Sequence, residues 1–190
     1  MRASLLAESG RMNGRGLTRR EIDEAISVFG YSINYRNVVV YEDAQWLSIF
    51  ARATSFLLRA EPVLNQAITL GYWVFFPGTI YTSTGEAPDL RQRDTAWLIH
   101  ELTHVWQFEH VGARTLFKSI RAHARYGKDA YVYGGESGLI KHRLEGGHLD
   151  DLNPEQQGDV ARHYYVRANR EQDLTAWKPY VFEFQNAIYK

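Results

Sequence analysis

His100-Glu101-Leu102-Thr103-His104 is the part of this chain whose residue types and spacing could do chemistry. It sits in an apolar run, with Ala96-Trp97-Leu98-Ile99 before it and Val105-Trp106 after it. On a helix of about 3.6 residues per turn, side chains four apart share a face, so His100 and His104 can grip one metal ion. Glu101 lies next to that face, where a carboxylate can take a proton from a metal-activated water. The pattern is short, and the bland alternative is a buried helix whose histidines simply bond to neighbours. A third ligand decides between them.

Catalytic zinc is usually held by three protein ligands, with a fourth position left for water. One route to a third ligand is a histidine about six residues beyond the second, reached through a glycine turn. His110 has that separation, but Val105-Trp106-Gln107-Phe108-Glu109 contains no glycine. A continuing helix would swing His110 off the metal face. The other route is a glutamate from a separate helix. Asn153-Pro154-Glu155 opens one, with Asn153 as the cap and Pro154 at the first helical position. Glu155 is then placed to bind the metal. Asp159, four residues on along the same face, is placed to accept the free ring N–H of a ligand histidine and fix its tautomer. Glu136, Glu145, His148, Asp150 and Asp151 are alternative ligands. Two metal-ready faces would be a coincidence in a helix that is merely buried. Donors for an oxyanion are His163, Tyr133, Tyr164 and Tyr131; His163 and Tyr133 join Glu101 as catalytic candidates. His110, His123, His142 and His148 read as exposed or satisfied.

The elements that must position these groups can be read from periodicity and punctuation. Thr18-Arg19-Arg20-Glu21 is a capping box, followed by Ile22, Ala25, Ile26 and Phe29 at helical spacing and a stop at Gly30. Val38 to Tyr41 predicts a strand. Trp46 to Ala60 predicts a helix, with a second short segment from Pro62. Ile68 to Thr82, broken by Pro77-Gly78, predicts two strands joined by a turn there, with Thr79 to Thr82 as the sheet edge beside the active-site helix. The motif helix is expected from Arg91 to about Glu109, and another from Thr115 to Tyr126. Gly134 to Gly147 reads as a loop. The helix opened by Asn153 should run to about Glu171, and the aromatic tail from Thr175 to Lys190 should pack back on the body. The fold class is α+β, with a small mixed or antiparallel sheet followed by a helical half that carries the chemistry.

Composition bounds the rest. At 190 residues, 45% apolar and 23% charged, the chain is the size of one domain with a real core. Residues 1–16 are polar and rich in Gly and Arg, and read as a flexible leader, not a signal peptide; residues 17–190 form the domain. Basic and acidic residues balance at 22 each, so no overall field favours nucleic acid. The absence of cysteine removes thiolate zinc sites, disulfides and cysteine nucleophiles. The most apolar window, Trp46 to Leu70, is broken by Arg52, Arg59, Glu61 and Pro62, which excludes a membrane span.

Three blocks, Ile99 to Gln107, Tyr131-Val132-Tyr133 and Leu152 to Gln157, resemble a family of bacterial zincins. The family includes the metallopeptidase domain at the C-terminus of some VgrG spike proteins of type VI secretion systems, and related domains associated with contractile injection systems. The resemblance runs from Leu17 to about Tyr165. It implies a zincin-like fold in which His100, His104 and Glu155 bind Zn2+ and Glu101 is the general base, with Asp159 completing a Glu-x-x-x-Asp helix like that of gluzincins. It further implies a zinc metallopeptidase acting on protein or peptide substrates, delivered to another cell as an effector or toxin, with a secretion spike or an immunity protein as partner. Competing expectations are a non-catalytic, zinc-stabilised module of an injection machine and a zinc hydrolase of cell-wall peptide crosslinks.

Overall fold

The computed structural model describes residues 13–47, 66–83, 85–112 and 131–187. The helix expected from Trp46 to Ala60, the segment after Pro62 and the helix expected from Thr115 to Tyr126 lie outside these residues, apart from Trp46 and Leu47. The first described element is β1 (Arg15–Gly16), formed by the last two residues of the expected leader. Next comes α1 (Arg19–Phe29), closed by the expected capping box: Glu21 N–H donates to Thr18 Oγ1 at 3.2 Å, and Thr18 N–H donates to Glu21 Oε2 at 2.7 Å.

A small sheet follows, built from β2 (Val39–Tyr41), β3 (Ile68–Leu70) and β4 (Trp73–Phe75) together with β1. The strand order is β1-β2-β4-β3, with β2 and β4 parallel and the outer pairs antiparallel. The sheet is therefore mixed. Its hairpin departs from expectation. The turn between β3 and β4 is Gly71-Tyr72, where Gly71 at φ 64° supplies the positive φ that a two-residue hairpin loop requires. The Pro77-Gly78 segment comes after the last strand, and residues 76–82 form no strand. The expected edge at Thr79 to Thr82 is thus replaced by β3. Phe76 still bonds through its N–H to Tyr41, after which Pro77 has no N–H to extend the ladder.

Strand alternation divides the apolar residues between two faces. Val40, Val74 and, just past the strand, Phe76 belong to the main core with the helices, while Phe75 joins Ala44 and Leu47 on the other side. Helix α2 (Pro88–Val111) runs through the main core, and is buried on every side from Asp94 to Gln107 apart from Trp97 and His104. That all-round burial marks a central helix, not a surface one. The stretch expected as a loop contains α3 (Gly135–Leu144), which buries Leu139 completely. Its glycines misled as helix breakers, yet Gly138 has a packing role: a Cβ there would lie 2.2 Å from the Tyr133 carbonyl oxygen. Helix α4 (Pro154–Asn169) begins as expected, with the Asn153 side chain accepting from the N–H groups of Glu155 and Gln156. Finally α5 (Lys178–Gln185) packs Tyr180, Val181 and Phe184 inward, and Trp106 donates its indole N–H to the Phe184 carbonyl at 3.2 Å. The architecture is α+β.

The N-terminal segment is tied down by charge. Arg15 holds Glu21 through two bonds of 2.8 and 2.9 Å and also reaches Glu42 at 2.7 Å, while Thr82 donates to Glu21 at 2.7 Å. Burial alone would raise the Glu21 carboxyl, but these bonds and the Thr18 N–H outweigh it and hold it below its ordinary value. A depressed carboxylate stabilises the fold above its unfolded pKa and loses that contribution as pH falls through the folded value. Glu21→Gln is expected to cost roughly 2 kcal/mol at neutral pH, discounted for the one-third exposure of Arg15. Urea unfolding at neutral pH and near pH 3 checks this: the deficit should narrow in acid, and an equal deficit at both would point away from the ion pair.

Candidate metal centre

The first two candidate ligands come from α2. His100 and His104, one turn apart, place their ring centroids 5.2 Å apart. The third comes from the first turn of α4, which packs against α2. Glu155 Oε2 lies 3.3 Å from His100 Nε2, and Glu155 Oε1 lies 3.6 Å from His104 Nε2. Ligand atoms from the three side chains all fall within 4.8 Å of one another, the separation that one bound ion demands. His100 and Glu155 are buried at 5% and 4% exposure.

The remaining ring nitrogens are held from behind. His100 Nδ1 faces Asp159 Oδ1 at 3.1 Å, and His104 Nδ1 faces Gln107 Oε1 at 2.9 Å. Both partners can accept, so each Nδ1 is the ring atom suited to carry a proton and each Nε2 is the atom turned to the shared position. The close approach of the helices depends on Gly158. A Cβ at that position would sit 2.6 Å from His100 Cε1. The His100 ring also neighbours Tyr131, at 5.9 Å between centroids.

Electrostatics favours positive charge here. Burial pulls His100 down, but hydrogen bonds to Asp159 and Glu155 and the charge of Glu101 outweigh it and push the imidazole up to about 10. His104 is also raised, since the carboxylate of Glu155 overcomes its burial. Glu155 in turn is held well below the carboxylate range, because the two imidazoles outweigh desolvation. The residues present fit a divalent cation: two imidazoles that turn Nε2 to one position and could donate there on losing that proton, one carboxylate, and surroundings that favour positive charge.

Glu101 projects from the same helix, 5% exposed, and its Oε2 accepts from Thr69 Oγ1 at 2.7 Å. Thr69 is the middle residue of β3, the edge strand, so sheet and helix are joined at this carboxylate. The Tyr131 hydroxyl accepts from Gln66 at 3.2 Å, and burial together with the charges of Glu155, Glu101 and Asp159 raises its pKa. His163 and Tyr133 are brought to each other, Nδ1 to hydroxyl at 2.5 Å, and line a cavity of about 480 Å³ with Val166, Arg167 and Trp177. His110 turns back to the Trp106 carbonyl of its own helix at 2.8 Å, and His148 faces Glu183 at 3.1 Å. Thr69 and Gln107 were missed as functional residues. Gln107 carried a faint signal, a polar residue one turn past His104 in an apolar helix; Thr69 carried none, because its role depends on how the sheet lies against α2.

The class defined by these features is an α+β domain with a two-histidine, one-glutamate metal-ready centre and a buried carboxylate beside it. No family model matches the sequence. Over 166 residues, 86% of this chain, it is 30% identical to the type VI secretion system spike protein VgrG2b of Pseudomonas aeruginosa. The chain spans only 14% of that protein's length. Among solved structures, the effector domain of Pseudomonas aeruginosa VgrG2b matches with a TM-score of 0.52 and 24% identity, over 90% of this chain and 84% of that domain. The chain is thus similar in sequence to part of VgrG2b and shares the fold of its effector domain.

Gly158→Ala tests the packing that builds the centre. The added methyl group is expected to cost about 1–3 kcal/mol, since it must displace a buried ring or separate two helices. Zinc affinity, measured by chelator competition, should fall at least tenfold, on the order seen when a ligand's support is lost. Unchanged affinity would show that the ring has another way to sit.

Proposed function

We propose that this chain is a zinc-dependent metallopeptidase domain that acts as an effector of a type VI or related contractile injection system. The observation that carries the reading is the convergence of His100, His104 and Glu155 with Glu101 set beside them. A purely structural zinc needs only its ligands. Here an additional buried carboxylate is held in place by a threonine from the edge strand. His100 Nε2, His104 Nε2 and the Glu155 carboxylate would hold the ion. When bound, zinc would polarise the scissile carbonyl and make water a stronger acid.

The chain's own groups supply the rest. Glu101 takes the proton from the attacking water and passes it to the leaving amine. Thr69 donates to one oxygen of Glu101, which fixes the carboxylate's direction and leaves the other oxygen for the water. Tyr131, beside His100, is the hydroxyl best placed to donate to the developing oxyanion. His163 and Tyr133, bonded to each other, shape the adjoining cavity where a substrate side chain can lie. The outer edge of β3 is unpaired among the described residues, so an extended peptide can add there as a further strand. Similarity to VgrG2b supports delivery by a spike and makes a spike protein or an immunity protein the expected partner. No helix among the described residues is long and apolar enough to cross a membrane.

Metal content and cleavage of an unfolded protein substrate test the reading together. The wild type should hold about one zinc per chain and cleave. Glu101→Gln should keep the metal and lose activity by roughly 100-fold or more, whereas Glu155→Ala should lose both. Stoichiometric zinc with no cleavage would identify a non-catalytic module, and digestion of peptidoglycan alone would identify a cell-wall hydrolase. Tyr131→Phe should lower kcat about 10- to 1000-fold with little change in KM. An equal loss in Tyr133→Phe with none in Tyr131→Phe would move the donor role to the other tyrosine.

A further inference from the structure

Behind the centre, the two buried glutamines Gln107 (2% exposed) and Gln157 (7%) form a directional chain of hydrogen bonds. Gln157 Nε2 lies 3.0 Å from both the Leu149 and the Leu152 carbonyl oxygens. Backbone carbonyls only accept, so the Gln157 amide must turn its NH2 toward them and its oxygen the other way. That oxygen lies 2.9 Å from Gln107 Nε2, which is also 3.0 Å from the Pro154 carbonyl. Gln107 must therefore donate on that side too. Its remaining oxygen faces His104 Nδ1 at 2.9 Å. Each amide is fixed by the one behind it, and the sequence starts at groups that cannot change roles.

Building on the metal-centre reading, we infer that Gln107, set by Gln157, is a positioning residue that holds His104 with its proton on Nδ1 and its Nε2 lone pair aimed at the metal. The same chain sets the spacing of two ligands. The Pro154 carbonyl that receives from Gln107 belongs to the residue before Glu155, and the Leu152 carbonyl lies just ahead of the Asn153 cap. The arrangement thus fixes the tautomer of a ligand on α2 and the start of the helix that supplies the ligand opposite.

The experiment uses the whole chain and zinc alone, read by chelator competition and by long-range 1H–15N spectra of the histidine rings. Gln107→Leu is expected to weaken zinc binding about 10- to 100-fold. Gln157→Leu, whose hydrogen bonds go to Gln107, Leu149 and Leu152 and not to a candidate ligand, should weaken it in the same direction, and the double variant should lose less than the product of the two. In the zinc-loaded wild type, His104 should show a slowly exchanging Nδ1 proton that exchanges faster in Gln107→Leu. This last reading on the wild type stands even if a variant fails to fold. Wild-type affinity in a folded Gln107→Leu, or zinc bound through Nδ1 of His104, would overturn the inference while leaving the metal centre intact. A wild type that binds no zinc would overturn the metal-centre reading and this inference with it.

Discussion

The packing of α4 against α2, with a glycine where any other residue would strike a histidine ring, is the contact on which the site depends. Gly158 allows the helix axes to come close enough for Glu155 to reach both Nε2 atoms. Asp159, the residue after that glycine, closes on the opposite nitrogen of His100. One turn and a half of α4 thus supplies a candidate ligand, the space for the ring and the acceptor behind it. The three functions fall on one face because α4 begins at a defined residue. Asn153 and Pro154 fix that start, and a shift of a single residue would rotate Glu155 by about 100° away from the centre.

The sheet enters the site from the other side. Its edge strand is short, and Thr69 pairs with Val74, whose buried side chain shares the face packed on α2. Thr69 is therefore directed at the helix and not at solvent, and the residue it meets is Glu101. The proposed base is held by a strand, while the candidate ligand Glu155 comes from a second helix that also braces His100. Base and ligands are independently braced, so a distortion on one side need not reach the other.

Much of this was legible because it is local. The spacing of His100 and His104, the capping box at Thr18 and the Asn153-Pro154 start each rest on geometry within a turn of helix, and each appears as read. Glu155 and Asp159 were legible for the same reason, though their meeting with His100 is tertiary. The failures came where one residue type has two uses. Gly134 to Gly147 looked like a loop because glycine usually breaks helices, yet Gly138 is small so that α3 can sit against the Tyr133 carbonyl. Pro77-Gly78 looked like the hairpin turn, but Gly71 has the positive φ and sits between residues in register. Thr69 and the Gln107–Gln157 chain depend on which surfaces face each other across long separations, and no local pattern encodes that.

Charge is a reason that a cation would fit among these side chains. Glu101, Glu155 and Asp159 bring three carboxylates to one buried cluster, with Arg162 as a nearby fixed countercharge at 3.4 Å from Asp159. Among the described residues, such a cluster needs more positive charge than that one guanidinium supplies. In the polypeptide alone, protons on the imidazoles can provide it, which is why His100 and His104 are raised. A divalent ion would provide the same charge at Nε2 of both rings, leaving protons only where Asp159 and Gln107 can accept them. On the proposed reading, proton and metal would compete for the same two nitrogens, and the acceptors behind the rings would favour the metal by retaining the other proton on Nδ1.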